Sequence, residues 1–277
     1  GGGVRDLEFR IIPETSIGLM LIIHLLIDTR DAMGANAVNS TVEHLAPDVA
    51  ELTGGRVHLK ILSNLADQRK ARAEGIVPSH ILASDSSSGE AVVDAILEAA
   101  VFAEVDPYRA TTHNKGVMNG IDPVVIATGN DWRAVESAAH AFVSRSGSYG
   151  SMTQWRKLPN GDLHGCIELP MAIGIVGGAT RVHPMAQMAL KILDVDTAQE
   201  LAEIIVTVGL AQNFAAMRAL ATEGIQKGHM RLHAKQLAAA AGASVEMIPS
   251  IVEQLVRENN IRLERAQQLV KDWKRSS

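Results

Sequence analysis

The chain has 277 residues, of which 47% are hydrophobic and 21% charged, the balance of a globular protein and not of a disordered or collagen-like chain. Its 26 Lys plus Arg against 31 Asp plus Glu leave a net charge of −5, which argues against a general nucleic-acid binder because phosphate affinity needs clustered basic charge. The single cysteine, Cys166, excludes an intrachain disulfide and a Cys-based zinc cluster, and it fits a reducing, cytoplasmic setting.

The front of the chain, residues 1–66, alternates strand and helix signals. Leu7, Phe9 and Ile11 alternate with Glu8 and Arg10, as in a strand. Residues 18–28 are nearly all apolar and short, which predicts a strand buried on both faces. A helix is expected over 32–52, closed by Gly54-Gly55. Val57, Leu59 and Ile61 then alternate with His58 and Lys60, predicting a half-buried strand. This order suggests a small α/β domain. The Gly-Gly-Gly opening runs straight into strand-like sequence and reads as a chain lacking its natural beginning.

Residues 67–224 are mixed. A helix is expected over 88–103, a short strand over 124–128, and a helix starting at Asn130 or Asp131 and running to Phe142. Residues 152–155 and 163–169 flank Pro159-Asn160-Gly161, a hairpin signal, with Cys166 a packing residue in the second strand. Thr197-Ala-Gln-Glu200 is a capping box opening a long, mostly apolar helix that ends near Gly224, buried or packed between subunits. The last section, 225–277, is helical and more charged, broken by Gly242 and Pro249 into about three helices that would suit a lid. The apolar runs 18–27 and 169–179 are too short to span a bilayer, so no membrane partner is expected.

The common motifs are absent: there is no G-x-G-x-x-G after a strand, no P-loop, no H-E-x-x-H and no G-x-S-x-G. Three segments stand out instead. In Asp31-Ala-Met33-Gly34-Ala-Asn36 a buried strand gives way to a helix, whose unpaired N–H groups attract anions; an ordinary strand-to-helix turn with an Asp cap explains the pattern equally. In Arg109-Ala-Thr-Thr-His113-Asn114-Lys115-Gly116-Val-Met-Asn119-Gly120-Ile-Asp122, Lys115 would polarise a carbonyl and Arg109 would grip a carboxylate, against the alternative of a solvated loop. Asp131 follows a short way on, either a carboxylate that fixes the lysine or a simple helix cap. In Gly228-His229-Met-Arg-Leu-His233 the two histidines share one helical face; His229 on a mobile element would donate a proton, while surface histidines are the plain alternative. No acidic or cysteine partner accompanies the pair, so no metal site is expected. Gly177-Gly178-Ala-Thr180 is either a close backbone approach or a tight turn.

Taken together these segments resemble the 3-hydroxy-3-methylglutaryl-coenzyme A reductase family in its soluble, bacterial class II form. The match rests on Asp-Ala-Met-Gly-Ala-Asn at 31–36, His-Asn-Lys-Gly at 113–116 and Gly-Asn-Asp-Trp at 129–132. It continues through Val-Gly-Gly-Ala-Thr at 176–180, Gly-Leu-Ala-Gln-Asn at 209–213 and Gly-His-Met at 228–230, and so covers essentially the whole chain. The resemblance implies an α+β fold: a small α/β, ferredoxin-like cofactor domain over 1–66, incomplete at its start, a large mixed substrate-binding and dimerisation domain over 67–225, and a C-terminal helical flap over 226–277. It implies four-electron interconversion of HMG-CoA and mevalonate plus coenzyme A with two NADH or NADPH, in a homodimer or higher homo-oligomer with active sites at the subunit interface. By position it makes Lys115 the oxyanion stabiliser, Asp131 its partner and His229 the proton donor to the coenzyme A thiolate. Arg109, Asn119, Gln212 and His233 fall on the substrate side, and Asp31, Met33, Gly34 and Asn36 on the cofactor side. The family also uses a glutamate in a Glu-Asn motif upstream of the small domain, whereas the Glu-Asn pair here, Glu258-Asn259, lies among the C-terminal helices. That departure keeps open an inactive C-terminal fragment that only binds coenzyme A esters or assembles with a full-length partner.

Overall fold

The computed structural model describes residues 2–84, 87–222 and 225–276, with the backbone alone at 225–229 and 274–276. In chain order the elements are β1 Gly3–Ile12, β2 Met20–Asp28, α1 Ala35–Thr53, β3 Lys70–Val77, α2 Ser79–Leu82, α3 Gly89–Val105, α4 Pro107–Ala127 and α5 Trp132–Ser144. There follow β4 Thr153–Lys157, β5 Leu163–Pro170, α6 Gly178–Val182, α7 Pro184–Leu193, α8 Ala198–Ala221, α9 Ile225–Ala240, α10 Ile248–Arg257 and α11 Leu263–Ser276. Helices and two small antiparallel sheets make up the α+β fold, the sheets ordered β1-β2 and β3-β5-β4. The chain separates into two compact units, one of Gly1–Val77 with Ala100–Asn213 and one of Pro78–Ala99 with Phe214–Ser277.

In the first unit β1 and β2 pair in register from Ile12↔Met20 to Gly3↔Asp28, around an irregularity between Val4 and Asp6. Because β2 pairs with β1 alone among the described strands, its residues are part-exposed, which corrects the expectation of a strand buried on both faces. α1 ends as its glycines foretell, with Gly54 at φ 63° as the C-cap. The strand expected around Val57, Leu59 and Ile61 does not form; the segment has no ladder partner, and the nearby Leu62 N–H donates to the Asn39 side chain at 2.8 Å.

The expected strand over 124–128 is instead the last turn of α4. Asp106 caps that helix by accepting from the Arg109 N–H at 2.7 Å, with Pro107 at its first position. Its buried positions Ala110, Asn114, Val117, Ile121 and Val125 then recur at helical spacing, so a helix accounts for the whole run. The hairpin at Pro159-Asn160-Gly161 forms as expected, β4 and β5 pairing from Lys157↔Leu163 to Thr153↔Ile167. The capping box forms too: Glu200 N–H donates to Thr197 Oγ1, and Thr197 N–H donates to Glu200 Oε2, each at 3.1 Å. α8, the described helix long and apolar enough to cross a membrane, buries Leu201, Ile205, Val206 and Leu210 in the protein. Core residues Val117, Ile121, Leu163, Ile167, Leu169 and Ile173 are each 1% exposed or less.

The second unit is held by α9, α10 and α11. Ala234 and Ala238, Ile251 and Leu255, and Ala266, Leu269 and Val270 form one buried cluster from three helix faces, each face at the three-or-four-residue spacing. Gly242 at φ 81° and Pro249 at the start of α10 set the first break. Asn259 at φ 49° marks the second.

Candidate active site

The polar segment at 109–122 is helix rather than solvated loop, and the helix sorts its side chains by direction. His113 and Asn114 point inward, 2% and 0% exposed, whereas Lys115 and Asn119, one turn apart, are exposed on the outer side. Arg109 is half-buried in the first turn. Pro123 has no N–H to close on the Asn119 carbonyl, which loosens the ladder at that residue.

The inward pair locks α4 in place. Asn114 Nδ2 donates to Gly150 O and its Oδ1 accepts from Met152 N–H, both at 2.8 Å. His113 Nε2 lies 2.7 Å from Thr153 Oγ1 and 3.1 Å from Asn213 Nδ2. Asn213 Oδ1 accepts from Trp155 Nε1 at 3.1 Å and from Thr153 Oγ1 at 3.0 Å. The His113 ring makes these contacts through Nε2. Nδ1 is buried without a partner, and burial, with Arg109 nearby, pushes the imidazole pKa down to about 4. His113 is therefore a neutral strut that ties α4 to β4 and α8.

α4 and α8 approach closely because two glycines face the contact. A Cβ on Gly120 would fall 2.7 Å from Val208 O and 2.8 Å from Gln212 Cβ, and one on Gly209 would fall 2.7 Å from Ile121 Cγ1. Gln212, exposed, thus sits beside Gly120 and one residue along from Asn119. Asn119 thus neighbours the α4–α8 contact at Gly120, and Lys115 stands one turn before Asn119 on the exposed side of α4.

Asp131 is not with them. It N-caps α5, its Oδ1 accepting from the N–H groups of Arg133 and Ala134, each at 3.1 Å. From Lys115 to the end of α4 is 12 residues, about 18 Å of helix. The Lys115–Asp131 pairing expected from the resemblance does not form within one chain. Beside Asp131, Asn130 Oδ1 accepts from Gly174 N–H at 2.8 Å.

The turn at 31–36 opens α1 with an uncapped N-terminus. Gly34, at φ 97°, is the N-cap residue and supplies no side-chain acceptor, and no acidic residue stands in the first turn. A Cβ there would fall 2.3 Å from the Thr29 side chain, so only glycine fits. Asp31 turns away from the helix it precedes: its Oδ1 accepts from Ala198 N–H at 2.9 Å, at the start of α8. Met33 and Gly34 are half-buried and Asn36 is exposed. Such an uncapped helix start beside a glycine fits the phosphates of a dinucleotide.

His233 is exposed on α9 of the second unit. His229 is a position of α9 whose side chain lies outside the described residues. At 177–178 both glycines have positive φ, 78° and 53°, and nothing lies within 4 Å of where either Cβ would be, so the tight turn is the form adopted. Among the described residues no group of three or more His, Cys, Asp or Glu could hold a metal. Sequence reasoning missed Arg69, Thr153 and Glu136, none of which sits in a recognisable local pattern, and gave no role to Asp122 at the end of the polar segment. Asp122 Oδ1 is buried without a hydrogen bond, and burial with the Glu136 carboxyl beside it raises the Asp122 pKa to about 7.

The family model for hydroxymethylglutaryl-coenzyme A reductase matches residues 1–234. The chain belongs to the hydroxymethylglutaryl-coenzyme A reductase family. It is 51% identical over 270 residues to the 3-hydroxy-3-methylglutaryl-coenzyme A reductase of Archaeoglobus fulgidus, covering 98% of this chain and 60% of that reductase. It is 40% identical over 239 residues to a probable reductase of the same name in Borreliella burgdorferi, covering 86% of this chain and 54% of the relative. The class II reductase of Streptococcus pneumoniae, solved bound to NADPH in open conformations, superposes with a TM-score of 0.77 at 42% identity, covering 99% of this chain and 66% of that one. The α+β fold is thus that of a class II reductase, and the chain spans about 60% of the Archaeoglobus relative it matches.

Proposed function

We propose that the protein acts as an HMG-CoA reductase, interconverting HMG-CoA and mevalonate plus coenzyme A with two molecules of NADH or NADPH. The observation that carries the proposal is the family match over residues 1–234, with Gln212 beside Gly120 where α4 meets α8. In this reading the Lys115 ammonium stabilises the oxyanion that develops at the reacting carbonyl. Arg109, Asn119, Gln212 and His233 hold the substrate, and His229 protonates the departing thiolate so that it does not re-attack the aldehyde. The α1 N-terminus with Asp31, Met33, Gly34 and Asn36 would hold the dinucleotide, which when bound supplies hydride.

Lys115 and Asp131 stand too far apart in one chain to touch, and this supports a site completed by two copies, with Lys115 of one beside Asp131 of the other. The domain reading of 1–66 for cofactor, 67–225 for substrate and 226–277 for flap belongs to the same proposal, as does a soluble, cytoplasmic homodimer. Co-expressing Lys115→Ala with Asp131→Ala chains tests it: mixed dimers should regain up to about one quarter of the wild-type turnover, since one site in each heterodimer keeps both residues. No recovery would remove the shared site. His229→Gln should impair thioester reduction far more than mevaldehyde reduction, and equal losses would remove its role.

A second reading is favoured by Glu258, whose carboxylate accepts from Arg265 Nε and Nη2 at 2.7 Å each. That arginine holds the Glu258 pKa down to about 2, so Glu258 stands as a carboxylate in an ion pair with Arg265 and does not suit a proton donor. The 277-residue chain alone would then bind coenzyme A esters without turning them over. HMG-CoA-dependent oxidation of NADH and of NADPH, on a sample of recorded intact mass, separates the two readings.

A further inference from the structure

Arg69, immediately before β3, makes more hydrogen bonds than its exposed surroundings require. Its Nη1 donates to Thr29 Oγ1 at 2.8 Å, Ala32 O at 2.9 Å and Met33 O at 3.1 Å. Its Nη2 donates to Arg30 O at 2.9 Å and Ile173 O at 2.6 Å. Four of the five acceptors are carbonyls and none is a carboxylate, so the guanidinium is a cation set behind the 30–34 turn without a direct counter-ion. Burial lowers its pKa from the ordinary guanidinium value, and Asp28 and Asp31 nearby raise it again; an arginine keeps its charge under such conditions.

The consequence is directional. A trans peptide sets its N–H opposite its C=O, so carbonyls of Arg30, Ala32 and Met33 drawn to Arg69 aim the N–H groups of Asp31, Met33 and Gly34 away from it. Arg30 needs this hold, since it sits at φ 53°, a left-handed conformation costly for a residue with a side chain. The turn is gripped from a second side as well: Asp31 O accepts from Ile175 N–H at 2.9 Å and from Val176 N–H at 3.3 Å. Gly174 makes that approach possible, because a Cβ there would fall 2.5 Å from Met33 N. The same Gly174 donates to Asn130, next to Asp131.

We propose that Arg69 is a positioning residue for the nicotinamide cofactor: its guanidinium orients the 30–34 turn so that the α1 N-terminus meets the dinucleotide, and through Ile173 it fixes that turn to the segment after β5, where Gly174 donates to Asn130. The assignment rests on the cofactor reading of the 31–36 turn given above. Nothing in the local sequence marks Arg69, because its partners lie 36 to 40 residues before it and 104 after it.

Titration of the full chain with NADPH, and separately with HMG-CoA, tests the proposal in the wild type, Arg69→Lys and Arg69→Ala. A lysine has three donors on one atom and no fork, so Arg69→Lys should weaken NADPH binding about tenfold and leave HMG-CoA binding within about twofold. Arg69→Ala should weaken NADPH further, with part of the affinity restored by millimolar guanidinium. Folded variants that bind NADPH as the wild type does, or that lose both ligands in parallel, would overturn it. Should Arg69→Ala not fold, Thr29→Val removes one acceptor and is expected to weaken NADPH alone by about threefold; no change there overturns the proposal too. A wild-type chain that binds no NADPH would instead overturn the cofactor reading beneath it.

Discussion

The two compact units are held by different physics. In the first, a buried polar seam of His113, Asn114, Thr153, Trp155 and Asn213 joins α4, β4 and α8 through hydrogen bonds of 2.7 to 3.1 Å. In the second, the buried cluster between α9, α10 and α11 is alanine, leucine, isoleucine and valine, and the Glu258–Arg265 ion pair lies outside it on the surface. Apolar contact is non-directional and tolerates sliding, whereas a buried hydrogen bond fails if its partner shifts by an ångström. Lys115 lies one residue beyond the His113-Asn114 pair and Gln212 one residue before Asn213, so the directional seam adjoins two residues of the proposed site.

Substitutions at four positions would break or sharpen that contrast. Lys115→Ala should reduce HMG-CoA turnover by at least about a thousandfold, with the unfolding midpoint unchanged because the side chain is exposed. Turnover near the wild-type rate, or a fall in stability, would show that Lys115 belongs to the scaffold. Leu255→Ala, at a fully buried site of the helical unit, should cost about 3 kcal/mol in denaturant unfolding through the cavity it leaves. A cost under about 1 kcal/mol would mean the three-helix cluster repacks freely.

Thr153→Val keeps the shape of the seam but removes its hydroxyl, so that His113 Nε2 and Trp155 Nε1 lose one partner each and keep Asn213. It should cost about 2 kcal/mol, and Thr153→Ser should recover most of that, since the hydroxyl returns. Equal stability of the valine variant would show that the seam packs by volume alone.

The smallest effect is read by pH. His113, with its pKa lowered to about 4 from 6.5, contributes stability that is present above 6.5 and lost as pH falls through 4. Asp122, raised to about 7 from 3.8, contributes stability that is present below 3.8 and lost as pH rises through 7. Asp122→Asn should therefore raise the melting temperature relative to the wild type by about 3 °C at pH 8 and leave it near the wild-type value at pH 4. Parallel pH profiles for the two proteins would mean that Asp122 is ionised throughout.

Much of this was legible from local chemistry. The capping box at Thr197 and Glu200, the Pro159-Asn160-Gly161 hairpin, the Asp131 cap and the breaks at Gly242 and Pro249 each depend on residues close together in sequence. The misreadings share a cause. Val57, Leu59 and Ile61 alternate like a strand, but alternation states only which face is apolar and supplies no ladder partner. Residues 124–128 are β-branched and apolar like a strand, yet the cap at Asp106 had already committed them to helix. Of the proposed site, the identities of Lys115, Asn119, Gln212 and the 31–36 turn were visible as motifs, while the close approach of α4 to α8 beside Gln212 was not.

The sequence by itself determined the family, the helix caps, the turns and which residue types are available for chemistry, because each of these is written in neighbouring residues. Only the tertiary structure decided that His113 is a neutral buried strut while Lys115 faces outward, that Gly120 and Gly209 let α4 and α8 meet beside Gln212, and that Lys115 and Asp131 stand apart in one chain. It also decided that Arg69 reaches both the 30–34 turn and Ile173. Those are contacts between residues 36 to 104 positions apart, and their strength depends on burial and hydrogen-bond direction, which exist once the chain has folded.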